Sequence, residues 1–92
     1  MTTETTIFDE RTIYTITDEH GERSSISLDK MIADVLQGAI PDVHAWVQAT
    51  YERVVAKKPH LSRREKGDVV RILAVREAQK YPAYRQMMDE LL

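Results

Sequence analysis

Three histidines, scattered serines and fifteen carboxylates are the side chains in this sequence able to move a proton, attack a carbonyl or hold a metal. Their spacing supports none of these. His20, His44 and His60 lack the i, i+4 pairing and the flanking carboxylates that put two ligands on one helix face, and they read as solvated side chains. No Gly-x-Ser-x-Gly turn presents a nucleophile, and Ser62 is better used as a helix cap. Gly21, Gly38 and Gly67 stand singly, so no loop can wrap its N–H groups round a phosphate. With no cysteine, neither thiolate metal sites nor disulfides are available. An enzyme, a metal site and a cofactor are therefore not expected, and the chemistry left is that of charge.

The net charge is only −2, but it is unevenly placed. Residues 1–50 carry three Lys/Arg against nine Asp/Glu, and residues 51–92 carry ten against six. Between Arg53 and Lys80 there are nine basic residues and three acidic ones, enough for a locally positive surface on an acidic protein. Lys57 and Lys58 stand just before a proline, Arg63, Arg64 and Lys66 just after it, and Arg64 and Arg71, seven apart, share a helix face. Cations placed this way neutralise phosphates without base-specific geometry. Lys57, Lys58, Arg63, Arg64, Lys66 and Arg71, with Arg53 and Arg23 as outliers, are the expected partner-binding residues. Reversing the charge of Arg63 and Arg64 is expected to leave folding nearly intact.

The elements that must hold these residues are legible in the periodicity. Arg11–Thr17 is rich in β-branched and aromatic residues, and Arg23–Leu28 places Ile26 and Leu28 on one face, so two strands are expected. Asp18–Glu22 between them is polar with one glycine, which predicts a hairpin over about 11–28. Thr5–Phe8 is a candidate third strand. Met31, Ile32, Val35 and Leu36 then follow helical spacing, predicting a helix over 29–38, with Asp29 favouring its positive N-terminal end and Gly38 closing it. A second helix is expected over 41–57 with Pro41 in its first turn, its apolar face formed by Val43, Trp46, Val47, Thr50, Tyr51 and Val54. Ser62-Arg63-Arg64-Glu65 is a capping box and opens a third helix over 62–80. Pro82 interrupts it, and Tyr84, Met87, Met88 and Leu91 mark a fourth over 83–91.

These elements make an α+β chain, a hairpin followed by three to four helices, with residues 1–92 as one small domain. Ninety-two residues with 42% hydrophobic and 30% charged side chains suffice for one core and exclude a disordered class. No apolar run is long enough for a membrane span and no signal peptide opens the chain, so a cytoplasmic protein, monomeric or weakly dimeric, is expected. Ile26, Leu28, Ile32, Val35, Leu36, Val47, Val54, Val70 and Leu73 are its expected core.

Two resemblances add to this reading. Arg23-Ser24-Ser25-Ile26-Ser27-Leu28, followed by the Met31/Ile32/Val35/Leu36 helix, a glycine and a second helix, resembles the ribbon-helix-helix DNA-binding family over about residues 23–55. It implies a dimeric ribbon with Arg23, Ser25 and Ser27 in the major groove; the short first helix, the extra strand and the acidic first half depart from it. Over its whole length, in the order of hairpin and helices and in charge layout, the chain is similar to phage-encoded anti-CRISPR proteins of a type I-F inhibitor family. That resemblance implies binding to the multi-subunit crRNA-guided surveillance (Csy) complex in the host bacterial cytoplasm and obstruction of target-DNA capture. A basic face would meet guide RNA or the target-strand path, and an acidic hairpin face would meet the protein subunits.

Overall fold

The computed structural model describes residues 10–91, so the candidate strand Thr5–Phe8 lies outside the described residues. β1 (Arg11–Thr17) and β2 (Arg23–Asp29) pair antiparallel with Tyr14 opposite Ile26 and Thr15 opposite Ser25. The turn between them is built by Asp18, whose carboxylate accepts from the N–H groups of His20 and Glu22, each at 2.9 Å. Gly21 completes it at φ 77°, a left-handed backbone that a side chain would strain. Strand alternation sends Tyr14, Ile16, Ile26 and Leu28 to the buried face and leaves Ile13, Thr15 and Ser25 in solvent.

The helices are α1 (Lys30–Ala39), α2 (Val43–Lys57), α3 (Arg63–Ala78) and α4 (Pro82–Leu91), giving an α+β architecture of a two-stranded hairpin followed by four helices. Their ends depart from expectation in three places. Gly38 does not adopt a left-handed cap; α1 runs through it and stops at Ile40, which is extended and returns its N–H to the Leu36 carbonyl. Pro41 lies outside α2, because Asp42 caps that helix by accepting the Ala45 N–H at 3.0 Å. Asp29, expected to favour the start of α1 by charge, makes no capping bond and pairs with Arg11 across the hairpin instead. The capping box of α3 is complete: Ser62 Oγ accepts the Glu65 N–H at 3.1 Å, and Glu65 accepts the Ser62 N–H at 2.8 Å.

A two-stranded sheet has too little apolar surface to stand alone. Its inner face is therefore covered by α1, α2 and α3, with α2 against β1 and α3 against β2. Eight of the nine expected core residues are buried; Leu73 is half-buried at the α2–α3 boundary. Tyr14, Ile16, Ala33, Val43, Tyr51, Ala74 and Ala78 complete the core. The three small alanines Ala33, Ala74 and Ala78 are fully buried because helices approach closely there, a property of packing that periodicity does not announce. Leu36 is 0% exposed at the centre, so Leu36→Ala should destabilise by about 2–5 kcal/mol, read as a lower thermal midpoint by circular dichroism.

Candidate functional site

Three of the cations assigned to the partner surface are used inside the molecule. Lys66, on the second turn of α3, is 4% exposed and its ammonium lies 2.5 Å from Glu19 of the hairpin turn. Tyr51 of α2, fully buried, donates its hydroxyl to the same carboxylate. Arg63 lies over the Tyr51 ring, its guanidinium carbon 5.1 Å from the centroid, and donates to Ser24 Oγ at 3.0 Å and to the Ser25 carbonyl at 2.6 Å. Gly67, one turn on, leaves it space: a Cβ there would sit 3.2 Å from the Arg63 guanidinium. Arg71 donates to the Ser27 carbonyl at 2.9 Å and pairs with Asp68.

The reason is the open edge of β2. Lys30 and Asp18 bond back to Glu10 and Glu22 across the hairpin, so even-numbered β2 residues face β1 and the Ser25 and Ser27 carbonyls face outward. Arg63 and Arg71 supply the donors that a third strand would have brought. The β1 edge is tied in the same way by α2. Gln48 both accepts from the Thr17 N–H and donates to its carbonyl, at 2.9 Å each, and His44 bonds the Thr15 carbonyl. His44 is exposed, as the sequence suggests, and also stacks on Tyr14, with ring centroids 6.4 Å apart.

Charge pairing and hydrogen bonds perturb this network. The Lys66 ammonium, then the Tyr51 hydroxyl, hold the Glu19 carboxyl down at about 2 from an ordinary 4.5. Burial, followed by Glu19, pushes the Tyr51 hydroxyl up to about 12. Because the folded state depresses Glu19, its contribution to stability is complete above pH 4.5 and is lost as pH falls toward 2.

The cations that remain in solvent converge elsewhere. Arg53 and Lys57 are one turn apart on α2, Lys58 closes that helix, and Arg76 and Lys80 are one turn apart at the end of α3 and just beyond. The two helices pack side by side, joined by a short connection, and the groove between them holds two adjoining hollows of about 230 and 210 Å³. Arg53, Arg76 and Leu73 line both. Lys57, Lys58 and Val69 extend the groove toward the α2 end, and Trp46, Thr50 and Lys80 extend it the other way. Arg53, Lys57, Lys58 and Arg76 make no ion pair with another described residue. Glu77 is the one acid in the lining, and Lys80 at 3.0 Å and the Tyr81 hydroxyl at 2.9 Å hold its carboxyl below the usual range. Arg64 is exposed on the first turn of α3, at the end of the helical pair where Lys57 and Lys58 lie. Arg23 lines a different hollow, beside His44 and Gln48.

Comparison with protein-family models, with curated proteins and with solved structures finds no match for this chain. The site therefore stands on its own geometry. Among the described residues no cluster of three or more His, Asp or Glu side chains is positioned to hold a metal ion. Arg76 and Lys80 were missed as site residues by the sequence reading, although their i, i+4 spacing, matching that of Arg53 and Lys57, was there to be read. Which two helices face each other was not.

Two outcomes separate the internal cations from the free ones. Arg63→Ala should lower stability by about 1–3 kcal/mol through the lost contacts to β2, whereas Arg64→Ala should stay within about 0.5 kcal/mol, both read by urea unfolding. Glu19→Gln strands the buried Lys66 charge and should lower the thermal midpoint at pH 7, and adding Lys66→Met should recover it. The gap between wild type and Glu19→Gln should narrow as pH falls from 4.5 toward 2, and a gap independent of pH would remove the ion pair as its cause.

Proposed function

We propose that this protein acts by binding, without catalysis, a large phosphate-bearing partner through the basic α2–α3 face. The observation that carries this is the convergence of Arg53, Lys57, Lys58 and Arg76 on one groove while Arg63, Lys66 and Arg71 are tied to the hairpin. On an acidic chain, unpaired cations on a single face are an electrostatic footprint for a polyanion. The partner implied by the whole-chain resemblance is the type I-F crRNA-guided surveillance complex. There the basic face would lie against guide RNA or in the path of the target strand, and the protein would act as an anti-CRISPR inhibitor of target-DNA binding. Glu22 is exposed on the hairpin turn beside Asp18, so acidic groups are presented by a different element from the basic groove.

The ribbon-helix-helix alternative has less support. A dimeric ribbon pairs through a strand edge, and the outward carbonyls of β2 at Ser25 and Ser27 already receive Arg63 and Arg71. Pairing with a second copy would first have to break those contacts.

The reading is tested by titrating binding to the purified guide-RNA complex against salt. Wild type should show a log–log slope of about −2 or steeper, the value for three or more neutralised phosphates. Lys57→Glu with Lys58→Glu, both exposed, should melt within about 0.5 kcal/mol of wild type and bind far more weakly. A variant that melts and binds like wild type would sink the proposal.

A further inference from the structure

The groove has an end that is built differently from the rest. Thr50, in the middle of α2, is 1% exposed and lines the hollow beside Trp46, and its hydroxyl has no hydrogen-bond partner among the described residues. A buried hydroxyl left unpaired destabilises the free protein, and a helical threonine normally relieves this by bonding a carbonyl one turn back. Around it stand Arg53 from α2, and Arg76 and Lys80 from α3 and its end. Glu77 is turned to Lys80 and Tyr81, so this end keeps a net positive charge.

Resting on the polyanion reading above, we infer that the hollow formed by Trp46, Thr50, Arg53, Arg76 and Lys80 seats one backbone phosphate of an unpaired nucleic-acid strand. Two guanidinium groups and an ammonium are the donors a phosphate takes, and Thr50 offers a further hydroxyl donor. Trp46, half-buried at the rim, presents aromatic surface to the adjoining base. Size favours a single strand. Each hollow is below the roughly 300 Å³ of a small-molecule site, and an inter-helix groove admits one backbone where a duplex would touch only the rims. An acidic protein segment would satisfy the cations but has no base to place beside Trp46.

Trp46 is the sole tryptophan, so its fluorescence reports on this hollow directly. The experiment titrates the whole protein with a short oligothymidylate, the same sequence as a duplex, inorganic phosphate and polyglutamate. Expected are a saturable change with the single strand, competition by inorganic phosphate at higher concentration, and weaker responses to duplex and polyglutamate. Arg76→Gln should weaken the single strand by about tenfold, as for loss of a charge-assisted hydrogen bond. Thr50→Val, near in shape, should raise the melting temperature while weakening the strand. Thr50→Val that melts higher and binds equally well overturns the site, as does a response to polyglutamate equal to that of the strand. If the guide-RNA complex is still bound in a Lys57- and Lys58-dependent way while Trp46 stays silent, the phosphate seat fails and the polyanion reading survives. If neither the complex nor the oligonucleotide binds, both fail.

Discussion

Hairpin and helices meet at one buried charge that must be paired wherever it is present. Lys66 can lose its water only because Glu19 comes down from the hairpin turn to meet it and Tyr51 donates to the same carboxylate. That contact joins three elements that are remote in sequence: the β1–β2 turn, the middle of α2 and the start of α3. Arg63, lying over the Tyr51 ring and reaching Ser24 and Ser25, closes the cluster from the β2 side. A hairpin too small to hold itself is thereby fastened at its tip and along an edge by polar groups, while its inner face is fastened by apolar ones.

This division of labour among cations shapes the surface. The capping box fixes where α3 begins, and with it the phase of every side chain after Ser62. In that phase Arg63, Lys66 and Arg71 turn toward β2 and the hairpin tip, while Arg76 turns to α2. The same segment that is basic in sequence thus splits into a structural set and a free set. Gly67 serves the first, because the missing Cβ leaves the Arg63 guanidinium room to fold back across the helix.

The free set gains its meaning from the second helix. Arg53 and Lys57 on α2 would be ordinary solvated charges on an isolated helix, as would Arg76 and Lys80. Packed side by side they frame a groove whose lining includes Val69 and Leu73 and whose one carboxylate, Glu77, is already neutralised. Ile13 on β1 and Ile72 on α3 are large apolar residues standing in solvent, and Met88 and Leu91 remain partly exposed on α4.

Sequence alone determined the elements, because local physics sets them. Alternation of Tyr14, Ile16, Ile26 and Leu28 makes a half-buried hairpin, Gly21 permits its turn, and Ser62 with Glu65 opens α3 whatever lies around it. Most of the core followed from the same periodicity. Tertiary structure decided what the cations do. Whether an arginine meets a strand edge, a buried carboxylate or water depends on which element packs beside it, and that is a contact between Arg63 and Ser25, or Lys66 and Glu19, separated by about forty residues. Local propensity is blind at that distance, since a charged side chain at a given helical phase has the same period whether it faces solvent or a neighbour. For the same reason the β1 edge was closed by His44 and Gln48, and Arg76 joined Arg53, without any mark in the sequence beyond their spacing.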